Sequence, residues 1–177
     1  MIILGIDPGT QLLGFGIISY EKNHLTYLAS GYLELPTGHS LPQKLDEIYH
    51  HLIRLIKKYK PKEISLENVF VHQNVKSALK LGHARGAVIL AGVHLNLKIC
   101  EYSPKEMKMA VVGNGNASKE QVRFMVSKLL QLSREPALDE SDALGLAICH
   151  AHRMKSPRSS VKSWSEYIKQ HPEIVKK

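Results

Sequence analysis

Three strand-like runs open this chain with no helical segment between them, and only then does the hydrophobic period change. Residues 2–7 are a short apolar run, rich in β-branched side chains, that stops at Asp7-Pro8-Gly9-Thr10 and reads as a buried strand entering a turn. Residues 12–20 and 25–35 read as two further strands joined near Lys22-Asn23. Strands that follow one another this closely pair antiparallel. From Leu41 the pattern changes: Leu41, Leu45, Ile48, Leu52, Leu55, Ile56 and Tyr59 keep helical spacing, with Pro42 suited to the first turn and Pro61 to the stop. Residues 63–67 predict a buried strand and 74–96 a helical segment broken near Gly82 or Gly86. Residues 98–102 predict a short strand, and Ser103-Pro104 opens another helix. Ser118 and Gln121 match a capping box for a helix to about Leu130, and a last core helix is expected from about Asp139 to Arg153. The expected order, βββαβααβααα, implies an α/β fold with a mixed sheet and helices on both faces.

With 177 residues, 44% of them hydrophobic, the chain suits one domain with a real core. The expected division is a core domain over 1–153 and a tail over 154–177. The tail holds Lys155, Arg158, Lys162, Lys169, Lys176 and Lys177 against Glu166 and Glu173 only. One short helix could form there around Trp164 and Tyr167. Lys and Arg outnumber Asp and Glu by 24 to 16, a net charge of +8 that suits a polyanionic partner. Cys100 and Cys149 form no CxxC pair, so a structural zinc site is not expected, and a reduced, cytoplasmic compartment is. The ten histidines show no metal-ligand cluster along the chain. No apolar run approaches the roughly 20 residues of a membrane span.

Four acids stand at places where chemistry is done. Asp7 and Glu67 each end an apolar strand, and Ile3, Gly5 and Asp7 share one strand face. Asp139 and Asp142 are three apart at the start of a helix and share one face of it. Taken singly, each has an ordinary reading: a turn-initiating Asp, a strand-end charge, an N-cap Asp139 with Asp142 favouring the helix dipole. Gathered at one sheet edge, they would repel and raise one another's pKa, and divalent cations would relieve that. An all-oxygen ligand set favours Mg²⁺ or Mn²⁺ over zinc. Two such ions suit phosphoryl displacement.

Gly5-Ile6-Asp7-Pro8-Gly9-Thr10 with Gly14-Phe15-Gly16 resembles the opening of the RuvC family of Holliday-junction resolvases. So do Glu67-Asn68-Val69-Phe70, the segment Ser77-Ala78-Leu79-Lys80-Leu81-Gly82-His83-Ala84-Arg85-Gly86, Val111-Val112-Gly113-Asn114-Gly115, and Asp139-Glu140-Ser141-Asp142-Ala143-Leu144. The ordered set covers roughly residues 1–153. The resemblance implies a ribonuclease-H-like fold with a five-stranded mixed sheet. It implies a homodimer that binds a four-way junction and nicks two strands symmetrically, leaving 5′-phosphate and 3′-hydroxyl ends, in recombination and repair. It implies Asp7, Glu67, Asp139 and Asp142 as catalytic metal ligands for Mg²⁺, with Mn²⁺ able to substitute, two ions per subunit. It implies Phe70 as an aromatic stacked on an unpaired base, Lys108 and Lys119 near the scissile phosphate, and the branch-migration helicase complex of RuvA and RuvB as partner.

Two other functions compete. A monomeric nuclease trimming ribosomal-RNA precursors would share the Asp7 motif but lack Phe70 and the dimer helix. A non-catalytic module for branched DNA would have lost an acid, and all four are present. Gly82 and Gly86 permit close approach of a backbone, from within the chain or from a second copy; the residues leave both open. Lys105 and Arg123 read as solvated helix surface.

Overall fold

β1 (Ile2–Asp7) lies at the centre of a five-stranded sheet in the order β3-β2-β1-β4-β5. In this computed structural model, which describes residues 1–9, 11–68 and 75–155, Ile3, Leu4 and Ile6 of β1 are wholly buried. A strand covered on both faces needs such a continuous apolar run. β2 (Leu12–Glu21) and β3 (His24–Glu34) pair antiparallel, turning at Lys22 and Asn23, whose φ angles are 46° and 70°. Two positive φ values in a two-residue loop give the turn that matches strand twist. β4 (Glu63–Glu67) and β5 (Lys98–Tyr102) run parallel to β1 on its other side.

Helices cover both faces. α1 (Leu41–Tyr59) has Ser40 as its N-cap, proline in its first turn, and a left-handed Lys60 before Pro61. Its Ile48, Leu52 and Ile56 pack with Leu4, Ile6, Ile64 and Leu66 of the sheet and Ala84, Val88 and Ala91 of α2 (Val75–His94). The opposite face buries Ile3 and Ile18 against Met107 and Val111 of α3 (Pro104–Val112), Val122 and Val126 of α4 (Lys119–Leu129), and Leu144, Ala147, Ile148 and Ala151 of α5 (Leu138–Lys155).

The fold departs from expectation at two helices. α2 runs unbroken through Gly82 and Gly86, so the order is βββαβαβααα. A glycine inside a helix costs about 0.5–1 kcal/mol and does not end it when the buried stripe continues on either side. The close approach occurs at Gly92, where an added Cβ would lie 2.8 Å from Ile64 Cδ1; nothing stands within 4 Å of Gly82 or Gly86. α5 starts one residue before Asp139, so Asp139 is not its N-cap. Ser141 N–H donates to the Ala137 carbonyl at 2.9 Å as the first helical bond, and Ala137 N–H is accepted by the Glu140 carboxylate at 2.9 Å. Glu140 thus does the capping, and Asp139 and Asp142 are left free of it.

Three glycines set the height of α5 above the sheet. A Cβ on Gly5 would lie 2.0 Å from the Ala143 carbonyl oxygen, one on Gly14 2.2 Å from that of Asp139, and one on Gly16 2.7 Å from Leu144. The helix backbone therefore rests directly on β1 and β2. From β4, Ser65 Oγ donates to the Leu146 carbonyl at 2.7 Å, a buried bond that fixes the helix along its axis. Phe70 and segment 156–177 lie outside the described residues, and α5 continues past Arg153 to Lys155.

Candidate metal centre

The carboxyl ends of β1 and β4 are neighbours because the two strands pair in parallel up to Ile6 and Leu66. Asp7 and Glu67 come next on each strand, and their side chains share a hydrogen bond that favours an ionised Glu67. Asp7 stands opposite Gly14 on β2, against whose missing side chain the first turn of α5 is seated. That seating brings Asp139 and Asp142, on one helix face, over the strand ends. Asp7 feels the charge of the other three acids, Glu67, Asp142 and Asp139 in that order, so all four share one electrostatic neighbourhood.

The electrostatic consequence is large. Burial first, then repulsion from these three carboxylates, pushes the Asp7 carboxyl up to about 8 despite the opposing field of Lys119. Burial, then Asp142, raises Glu67. Burial also raises Asp142, against the pull of Lys119. A cation beside a buried carboxylate crowded by three others relieves both the burial and the repulsion that raise its pKa. Its donors are all oxygens, and a divalent cation of the Mg²⁺ or Ca²⁺ type is the species such a set accepts.

Lys119 is the closest cation, its Nζ 3.4 Å from Asp142 Oδ2. It is the first residue of α4, held there by the capping box in which Gln121 N–H donates to Ser118 Oγ and Ser118 N–H to the Gln121 side chain. Asp142, more than any other group, raises the Lys119 pKa. Lys108 of α3 acts on Asp142 from further off. Lys105 and Arg123 are engaged elsewhere. The Lys105 stem packs on Gly115, and Arg123 pairs with Glu135 at 3.6 Å.

Two contributors escaped the sequence analysis. Arg85 of α2 donates to the Glu67 backbone carbonyl and to Glu101 Oε1, clamping the ends of β4 and β5. Its signal is positional: a long cation flanked by Ala84 and Gly86 on a helix that packs against the sheet. Glu140, only 4% exposed, accepts both terminal nitrogens of Arg134 at 2.8 Å and the Ala137 N–H, tying the preceding loop to the helix that carries Asp139 and Asp142.

Comparison with known proteins identifies the family. The family described as crossover junction endodeoxyribonuclease RuvC matches residues 3–150. A Legionella pneumophila protein named crossover junction endodeoxyribonuclease RuvC is 47% identical over 151 residues, 85% of this chain and 87% of its own. A Shewanella oneidensis protein of the same name is 46% identical over 155 residues, 88% of this chain and 89% of its own. The structure of Thermus thermophilus RuvC in complex with Holliday junction substrate superposes with a TM-score of 0.83 at 27% identity, covering 88% of this chain and 95% of that one.

Proposed function

The chain belongs to the RuvC family of crossover junction endodeoxyribonucleases, and from that membership we propose that Asp7, Glu67, Asp139 and Asp142 form the centre that hydrolyses DNA at a four-way junction. The protein is a Holliday-junction-resolving endonuclease. The observation that carries the assignment of the centre is the gathering of four carboxylates from β1, β4 and α5, where burial first and then the charges of Glu67, Asp142 and Asp139 raise Asp7 to about 8.

The four acids would hold divalent cations: Mg²⁺, replaceable by Mn²⁺, two per subunit. When bound, the cations supply an activated water and Lewis-acid stabilisation of the leaving oxygen. The chain's own residues do the rest. Asp7 and Glu67, on rigid strand ends, fix one side of the centre. Asp139 and Asp142, one helical turn apart, fix the other. Lys119, already drawn toward Asp142, offers a cation to the strand's phosphate, and Lys108 on α3 adds a second. Phe70 would stack on an unpaired base beside the crossover, a contact worth about 1–3 kcal/mol. Cleavage would leave 5′-phosphate and 3′-hydroxyl ends. The basic tail after residue 153 would add sequence-independent attraction for DNA.

Two equivalent strands call for two equivalent sites, and we place the dimer contact on α2. Leu79, His83, Gly86, Leu90 and Val93 are exposed and recur every three or four residues, so they form one stripe along the helix. A stripe with two large leucines, a valine and a bare glycine suits a second copy related by a two-fold axis. The RuvA and RuvB helicase complex is the proposed partner on the junction. Among the described residues no helix is long and apolar enough to cross a membrane.

The test is a cleavage assay on a synthetic four-way junction, with single-stranded and duplex controls and Mg²⁺ titrated. Paired nicks in opposite strands that depend on the cation support the assignment. Equal cutting of linear duplex, or cutting unaffected by EDTA, overturns it.

A further inference from the structure

A second cluster of ligand-type side chains lies on the same sheet face at the other end of β4. Glu63 starts that strand, Cys100 stands two places along the neighbouring β5 from Glu63's partner Lys98, and His150 reaches in from the far half of α5. His150 Nε2 is 2.9 Å from Glu63 Oε2, and Cys100 Sγ is 3.7 Å from the same oxygen. One ligand atom from each of the three residues lies within 4.8 Å of the other two. His150 is eight residues beyond Asp142, about 12 Å along the helix at 1.5 Å per residue, so this cluster is separate from the carboxylate centre.

We propose that Glu63, Cys100 and His150 form a binding site for a zinc-class divalent cation, distinct from the ions of the nuclease centre. Zinc takes sulfur at about 2.3 Å and nitrogen or oxygen at about 2.0–2.2 Å in a tetrahedron. Those lengths place a ligating sulfur and oxygen about 3.6 Å apart and a nitrogen and oxygen about 3.3 Å apart. The observed 3.7 Å and 2.9 Å differ by a few tenths of an ångström, within side-chain rotation. Thiol and imidazole donors exclude Mg²⁺ by preference and select zinc or cobalt.

The surroundings fit as well. Tyr102 OH lies 2.7 Å from His150 Nδ1. A metal-bound imidazole donates its other N–H to an outer partner, and a phenol oxygen can accept it. His150 is buried, with Nε2 facing the Glu63 carboxylate and Nδ1 facing the Tyr102 hydroxyl. On binding, Cys100 releases its thiol proton to solvent. Without metal the ring's proton sits on Nε2, facing the Glu63 carboxylate; on binding it moves to Nδ1, where the Tyr102 oxygen accepts it, and Nε2 coordinates the metal. Lys98 Nζ, now 3.1 Å from Glu63 Oε2 on a side chain 68% exposed, turns outward. A fourth position is left for water. The ion would join β4, β5 and α5, and so brace the helix that carries Asp139 and Asp142 at its far end.

Cobalt is the probe. The full-length protein is mixed with Co²⁺ in excess Mg²⁺, which occupies the carboxylates, and the thiolate-to-cobalt charge-transfer band is read in the near ultraviolet. The proposal predicts a band at one equivalent that Zn²⁺ bleaches, that disappears in Cys100→Ser and that persists in Cys149→Ser. Tyr102→Phe should fold and weaken binding about 10–100-fold. No band in the wild type, or a band that survives Cys100→Ser, overturns the site. Should Cys100→Ser fail to fold, Glu63→Gln replaces it, with loss of the band supporting the site and full retention of both band and affinity opposing it.

Discussion

Alanine at Gly14 tests whether the catalytic geometry depends on the seating of α5. The new Cβ would lie 2.2 Å from the Asp139 carbonyl oxygen and 3.2 Å from Asp139 Cβ. Non-bonded carbon and oxygen do not approach within about 3 Å, so the first turn of α5 must move by about 1 Å. Overpacking of this kind costs about 1–3 kcal/mol, which for a chain of this size lowers Tm by roughly 3–10 °C. The fold survives that loss. The chemistry is more sensitive, because a misplacement of about 1 Å can cost on the order of 10²-fold in rate. Asp139 rides on the displaced turn, and the Gly14 partner in the strand ladder is Asp7. Junction cleavage under single-turnover conditions should fall about 100-fold, while binding, set by the basic surface, stays near wild type. Gly38→Ala, where nothing lies within 4 Å, is the control and should cut normally. A Gly14→Ala enzyme that cuts within a few-fold of wild type would refute the idea that this contact positions the acids.

Glu140→Gln should fold less stably, because a buried acceptor of the Arg134 nitrogens and the Ala137 N–H becomes half donor; a loss of about 1–3 kcal/mol is expected by urea denaturation, and an unchanged midpoint would remove Glu140 from the helix cap. In metal-free protein the raised Asp7 pKa makes the folded state hold a proton that the unfolded chain has released, so stability should fall as pH rises from about 4 to about 8; thermal melts in EDTA should show that slope, flattened in Asp7→Asn, and equal slopes would oppose a buried, crowded Asp7. Leu79→Glu with Leu90→Glu should convert a dimer of twice 19.9 kDa into monomer in sedimentation and uncouple the paired nicks; a double variant that stays dimeric would place the contact elsewhere.

Much of the architecture is legible in the residues because the signals are local. Strand runs that stop at Asp7 and Glu67, a helix that Pro42 opens and Pro61 ends, and the Ser118–Gln121 box each need only neighbours in sequence. The continuity of α2 is not local: it rests on Ala84, Val88 and Ala91 finding the sheet, which outweighs two glycines. The start of α5 depends on partners outside its first turn in the same way. Asp139 has the form of an N-cap, but Glu140 accepts from Arg134 and the Ala137 N–H, and the helix begins at Leu138. Residues alone leave the carboxylate cluster open among several readings, since each acid has a local explanation; only the pairing of β1 with β4 and the glycine seat of α5 bring them together. The Glu63–Cys100–His150 group spans three elements, with no spacing along the chain to announce it.

The central claim is that four gathered carboxylates do the chemistry while the basic surface does the binding. Asp7→Asn tests it most directly, since the change keeps size and shape and removes one anionic ligand. On a synthetic four-way junction in Mg²⁺, the variant should produce cuts slower by orders of magnitude, while in Ca²⁺ or EDTA it should retain the junction in a mobility-shift assay as tightly as wild type or more so. Cleavage at near wild-type rate, or loss of binding together with cleavage in a well-folded protein, would contradict it.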